Sequence, residues 1–327
     1  MKLNYFTEAI NLVILFCSFT LPHTHSLSEI THSLSEITHN KSIKSSIQSN
    51  IYNVLSFSGG GSFGAVEIGI LEKVMETNNF ITLNYDLYTG ISAGGLNAGF
   101  LSHYDKIFDG IFSIKQIYSH LSNKDIYEIN PLTGISLLNT MPLEKTIKTI
   151  LSDLPSSVKE TMIGTTNLNT GFLDIYYYDK LNLDDQIKLL MCTSAIPVAF
   201  PPIQFKNQLY VDGGEIQNQL LDPITSITDK FINITYITPY DVLEPNYNIT
   251  TFEDIVKRNI QVVTNTFNNE MYRLNQNCLN GSKRGVIYMY FINSSVLSGY
   301  SMLNFNKGAE LIKLGYNNVK YRTFNLC

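Results

Sequence analysis

The sequence predicts an α/β protein: a mostly parallel central sheet in a three-layer α/β/α arrangement. From Asn53 onward, short apolar runs of strand length alternate with longer stretches whose apolar residues recur every three or four positions. The first two strand-to-helix junctions are glycine-rich, around Gly59 and around Gly90. After Asn50 no shift in composition marks a second domain boundary.

Taken in order, residues 1–25 carry an early Lys2 and an apolar stretch over residues 10–21. A short basic start and an apolar core of about 7–15 residues make a secretory signal. A membrane span would need about 20 apolar residues. The segment is therefore read as a signal peptide and the chain as secreted or lumenal. An uncleaved membrane anchor is the alternative. Residues 26–50 read as a polar, Ser-rich linker; His-Ser-Leu-Ser-Glu-Ile-Thr runs twice, over residues 25–31 and 32–38. Two copies are too few for a coiled coil or a solenoid. Residues 51–327 are long enough for one α/β domain.

Within that domain residues 53–57 read as a buried strand, followed by a glycine run and a helix over 65–77, with Val66, Ile70 and Val74 on its apolar stripe. Residues 83–89 alternate as a strand with Asn84, Asp86 and Tyr88 on one face, and 93–102 read as a helix of small and apolar residues. Residues 105–142 have no clear pattern and are the place for substrate-entry elements. Further on come a helix over 143–154, strands over 172–178 and 208–211, a long helix over 252–274, a strand over 286–292 and a last helix over 307–316.

Gly90-Ile91-Ser92-Ala93-Gly94 fits a sharp strand-to-helix turn that exposes a serine hydroxyl. As a pentapeptide alone it is equally a plain glycine-rich turn; the strand before it and the helix after it favour a nucleophile. A serine needs a neighbouring base. Of six histidines, four lie in the first 39 residues, His103 and His120 follow Ser92 closely, and none lies beyond His120. The late histidine of an α/β-hydrolase triad is thus missing. A carboxylate can serve instead. Asp212 is the best candidate, because it ends a strand pattern and opens Asp212-Gly213-Gly214, where glycines admit a close neighbour. The same triplet is also a common turn.

Gly59-Gly60-Gly61-Ser62-Phe63-Gly64 lies between a strand and a helix start, an arrangement whose backbone N–H groups suit an anion. No Gly-Lys-Ser/Thr follows, so it is not a P-loop. Gly59, Gly61 and Gly64 match a dinucleotide fingerprint as letters, but Asp86 is a poor ribose acid because its strand leads straight into the serine turn. An oxyanion hole built from Gly59, Gly60, Gly61 and Gly64 explains why the two glycine turns are consecutive.

Together these segments resemble the patatin-like phospholipase family. Ser58 to Gly64, Gly90 to Ala98, Cys192 to Pro202, and Leu209 to Gly214 with Asn218 and Pro223 carry the likeness, in the family's order and spacing. The resemblance spans about residues 53–316. It implies a patatin-like fold and a Ser–Asp dyad acyl hydrolase. Ser92 would be the nucleophile, Asp212 the base and the glycine loop the oxyanion hole, with no metal and no cofactor. The substrate would be membrane or micellar lipid. The family usually has Arg where this chain has Phe63, which offers none of the guanidinium's hydrogen bonds. Altered substrate charge preference is therefore expected. A weak or inactive homologue with a storage or binding role, and an acyltransferase, are the alternatives.

A net charge of −5 and 16% charged residues give no sign of a nucleic-acid partner. Five Asn-x-Ser/Thr sequons, at Asn40, Asn233, Asn248, Asn280 and Asn293, weakly favour secretion. With the signal removed, three cysteines remain, too few for a disulfide framework; Cys278 with Cys327 is a candidate pair and Cys192 is expected to be buried. Oligomeric state is not readable.

Overall fold

The computed structural model describes residues 50–77, 84–129, 135–221, 227–241 and 284–326, with Ile224, Ile255, Arg258 and Val262. The expected signal, the linker, the sequons at Asn40, Asn248 and Asn280, and the Cys278–Cys327 pair lie outside these residues. So does most of the expected 252–274 helix; Ile255, Arg258 and Val262 within it are helical. Among the described residues no helix is long and apolar enough to cross a membrane.

The described chain runs β1 (Ile51–Phe57), α1 (Gly64–Thr77), β2 (Leu87–Ile91), α2 (Ala93–Leu101), α3 (Ile107–His120), β3 (Glu128–Ile129), β4 (Leu138–Asn139) and α4 (Met141–Ser152). It continues with β5 (Glu160–Asn167), β6 (Leu173–Tyr177), α5 (Leu183–Thr193), β7 (Ile203–Phe205), β8 (Gln208–Asp212), β9 (Phe231–Ile237), β10 (Gly285–Phe291), α6 (Gly308–Asn317) and β11 (Lys320–Leu326).

The main sheet has the order β11-β10-β9-β1-β2-β5-β8-β7, with β6 also on β5. The five strands β10, β9, β1, β2 and β5 are parallel to one another; β11 at one end and β6, β7 and β8 at the other run antiparallel to their neighbours. The expected mixed α/β fold with a mostly parallel sheet is therefore what the chain forms. Helices α1 to α6 all contribute to one apolar cluster, against Leu55, Phe57, Tyr88 and Ile163 on one face of the sheet. The opposite face carries a second cluster, where Val54, Leu87, Met162, Ile234 and Ile287 meet Leu220, Leu221 and Ile224.

Most boundaries expected from periodicity fall within two residues of the observed ones. The strand expected over 83–89 does not. It runs Leu87–Ile91, and all five residues are buried. A central parallel strand is covered on both faces and so reads as a continuous apolar run, not as an alternation. Asp86 lies just before it and accepts from the Asn53 N–H at 2.8 Å. That contact is at the N-terminal end of the strands, away from the glycine loop, so Asp86 takes no part in a phosphate site. The sequon at Asn233 stands in β9, paired with β1 and β10 on its two sides, and is not a surface loop. Residues 105–142 hold α3 and the short β3–β4 pair.

Candidate active site

The two glycine turns follow β1 and β2 directly, so adjacent parallel strands deliver them to the same end of the sheet. β5 acts as the ruler for the third component. Ile91 at the end of β2 pairs with Gly164 of β5, so Ser92 follows at the level of Thr165; on the same edge of β5, with β6 taking the opposite one, Thr165 pairs with Asp212. Ser92 and Asp212 thus arrive side by side at one residue of β5.

Ser92 has φ 54° and ψ −128°, a left-handed backbone uncommon outside glycine. Its neighbours explain how the turn closes so tightly. A Cβ on Gly90 would lie 2.2 Å from the Gly94 carbonyl oxygen, and one on Gly94 would lie 2.3 Å from that of Ser58. Thr193 at the end of α5 holds the turn: the Ser92 N–H donates to its Oγ1 at 2.9 Å, and its hydroxyl donates to the Gly164 carbonyl at 2.6 Å.

Asp212 is the last residue of β8 and is buried. Its N–H donates to the Ala195 carbonyl at 2.9 Å, and Oδ1 accepts from the Gly214 N–H at 2.8 Å. Burial raises its pKa to about 7, against hydrogen bonds from the Ser92 hydroxyl and the Gly214 amide that favour the carboxylate; Glu215 pushes it further up.

In the glycine loop the four expected glycines do not serve alike. The Gly59 N–H donates to Asn218, at 3.1 Å to Oδ1 and 3.2 Å to the backbone oxygen, and the Asn218 amide donates back to the Gly59 carbonyl at 3.3 Å. The Gly64 N–H is bonded inside its own helix start, to Gly61 and Ser62. Neither Gly59 nor Gly64 is therefore a donor for an oxyanion, which corrects the sequence expectation. Ser62 donates to the Met302 carbonyl and Phe63 to that of Gly60. Among the described residues the amides of Gly60 and Gly61 have no acceptor. Gly61 has φ +58°, a turn that glycine adopts without strain.

Gly61, Ser92 and Ala93 lie on the wall of a cavity of about 690 Å³, its open mouth included. The rest of its wall is nearly all apolar, from α2, α3, α4 and the turn after α5, with Leu96, Ile117, Ile147 and Phe200 representative.

The sequence model of patatin-like phospholipases matches residues 55–225, more than half of the chain. The chain belongs to the patatin-like phospholipase family. It is also 28% identical over 214 residues to the uncharacterized protein R571 of Acanthamoeba polyphaga mimivirus, covering 60% of this chain and 69% of that protein. Among solved structures it is similar to VipD from Legionella pneumophila, with a TM-score of 0.40 and 13% identity over 84% of this chain and 68% of VipD. It is also similar to the heterodimeric ExoU–SpcU complex of the Pseudomonas aeruginosa type III secretion system. There the TM-score is 0.29 and the identity 12%, and the match covers 84% of this chain but 53% of the other.

Two features of this patatin-like site were not legible beforehand. Glu67 of α1 is fully buried behind the glycine loop. It accepts from the Ser58 hydroxyl at 3.2 Å and from the Asn97 amide at 2.9 Å; Asn97 also donates to the Gly64 carbonyl and accepts from Tyr118. Burial holds its pKa well above the carboxylate range, against those hydrogen bonds. The buried carboxyl therefore links the loop after β1 to the helix after Ser92. Asn218 and Thr193 are likewise clamps, inside segments that carried the family likeness but with no role attached.

Phe63 is a correction. Its side chain is 1% exposed, stacks edge to face on Tyr240 with centroids 6.0 Å apart, and belongs to the main core. It does not line the cavity, so it is not placed to select substrate charge. The two histidines near Ser92 in sequence are engaged elsewhere. His103 has one ring nitrogen 2.6 Å from the Pro155 carbonyl and the other 2.9 Å from the Tyr178 hydroxyl, and His120 bonds Gln116 of its own helix. Cys192 is a free, buried thiol, pushed up to about 12 by burial.

Proposed function

We propose that this chain is a lipid acyl-ester hydrolase in which Ser92 is the nucleophile and Asp212 the general base. The observation that carries the reading is that Ser92, on the wall of an apolar cavity, and the buried Asp212 stand side by side at one edge of β5. Asp212 accepts the hydroxyl proton as Ser92 Oγ attacks the ester carbonyl. The Gly60 and Gly61 amides stabilise the tetrahedral oxyanion. The protonated Asp212 returns the proton to the leaving alcohol, leaving an acyl-serine. Water then attacks, again with Asp212 as base, and releases the fatty acid. A base whose pKa lies near 7 is better matched to this task than an ordinary carboxylate.

The apolar wall suits an acyl chain, which supports phospholipids or related glycerolipids as substrates. The signal-like residues 1–25 support a secreted or lumenal site of action, with a membrane-anchored form as the alternative. In this reading turnover persists in excess chelator. The test is hydrolysis of a p-nitrophenyl ester by wild type and by Ser92→Ala. Loss of turnover in a variant that still melts cooperatively supports the assignment; retained turnover refutes it.

A further inference from the structure

Beside the cavity the surface carries apolar side chains that nothing in the fold requires to be there. Ile129 is 86% exposed, Ile135 81%, Met141 70%, Val198 60% and Leu137 49%. Single exposed apolar residues are ordinary, but these are held together by the backbone. β3 pairs Ile129 with Leu138. The Leu137 N–H donates to the Val198 carbonyl and the Leu138 N–H to that of Ala199, both at 2.9 Å. Met141 N–H donates to the Asn139 side chain at 3.0 Å.

Their neighbours turn inward. Ile196 and Phe200, two residues either side of Val198, line the cavity, as do Ile126 and Leu143 at the ends of the β3–β4 region. The exposed set is thus tied, by chain adjacency and backbone hydrogen bonds, to the wall of the cavity that holds Ser92. Val198 adds an independent sign. Its φ is +68°, an outlier for a β-branched residue, and such strain is found preferentially at functional sites.

Charge indicates which surface the rim meets. From Ile126 to Leu143 the single charged residue is Glu128, and from Leu189 to Phe205 there is none. Anionic membranes recruit proteins through clustered Lys and Arg, and this rim has neither.

We propose that the rim of Ile129, Ile135, Leu137, Met141 and Val198 inserts into an uncharged lipid surface and seats the cavity mouth on it. The inference deepens the lipid-hydrolase reading and rests on it for the class of substrate, but its test does not depend on turnover.

The chain has no tryptophan, so one introduced indole reports its own surroundings. The full chain carries Ser92→Ala, to leave vesicles intact, and Leu137→Trp. Phosphatidylcholine vesicles should shift the indole emission to the blue, and brominated acyl chains should quench it. Tyr321→Trp, on β11 at the far end of the sheet, should show neither. The readout is local, so vesicle contact by residues 10–21 does not imitate it. Adding Ile129→Asp or Val198→Asn should weaken the quenching at least tenfold in lipid concentration. Asn tolerates a positive φ better than Val, so Val198→Asn should melt no lower than its parent while losing lipid contact. Raising salt fivefold should change the midpoint less than twofold, because no ion pairing is involved.

An indole that stays in water with vesicles present overturns the proposal. So does quenching that requires anionic lipid and vanishes in salt. A blue shift that depends on protein concentration without lipid shows the rim to be a contact between copies, and also overturns it. With Ser92 intact, the wild type should turn over a water-soluble short-chain ester without vesicles present. A wild type inert on that ester refutes the hydrolase reading and leaves the vesicle result to stand by itself.

Discussion

Asp212 is held where little water reaches it, and burial lifts its proton affinity to about 7. As a base it works only when ionised, so kcat/KM should rise through about pH 7. Asp212→Asn should remove that limb and about 10²–10⁴-fold of the rate. The same shift has a sign for stability. A carboxyl whose folded pKa lies above its unfolded value, roughly 4, stabilises the fold at low pH and loses that contribution as pH rises to about 7. Asp212→Asn should therefore gain stability over wild type between those pH values; denaturant melts of both proteins across the range check this. Glu67 makes a second prediction. Burial favours the uncharged form of this bridge between Ser58 and Asn97, so Gln should replace it well. Glu67→Leu should cost about 1–3 kcal/mol for each group it orphans and lower kcat by loosening the loop against Ser92. If Glu67→Gln is as damaging as Glu67→Leu, the residue acts through a charge and the bridge is wrongly described.

At the scale of elements, the two glycine turns could be read from the sequence because their constraints are local. Gly90 and Gly94 face other backbone within a few residues or across one strand pair, and the strand-then-helix pattern around them is short-range. The division of labour inside the first loop was not legible. Whether an amide is spent on Asn218 or left facing the cavity depends on a contact 159 residues away. Phe63 shows the same limit. Its position where the family usually has Arg suggested the site, yet just before α1 its side chain turns onto Tyr240. Phe63→Arg should consequently not switch preference towards anionic lipids. It should destabilise by about 3–5 kcal/mol, the loss of a buried aromatic, before counting the buried charge. Urea unfolding of the variant, beside kcat/KM on matched anionic and neutral esters, separates the two accounts.

At the scale of the whole molecule, the parallel order β1-β2-β5 explains why residues 33 and 120 positions apart in sequence meet. Two adjacent strands deliver the loop and Ser92, and the edge of β5 that pairs with β2 also pairs with β8 and sets Asp212 beside Ser92. The alternation of strand and helix foretold the parallel sheet, because a parallel connection must cross over. It could not foretell the antiparallel β8, whose place is fixed by pairing with Thr165, Thr166 and Asn167. The central claim is that this geometry activates Ser92 through Asp212 without a histidine. Its most direct test is the rate of covalent labelling by a fluorophosphonate, with the adduct located by peptide mass spectrometry and the rate followed across pH. The account predicts one adduct, on Ser92, at a rate that rises through about pH 7, falls sharply in Asp212→Asn and is kept in His103→Ala and His120→Ala. An adduct on another residue, or labelling of Ser92 that survives Asp212→Asn with its pH dependence unchanged, would contradict it.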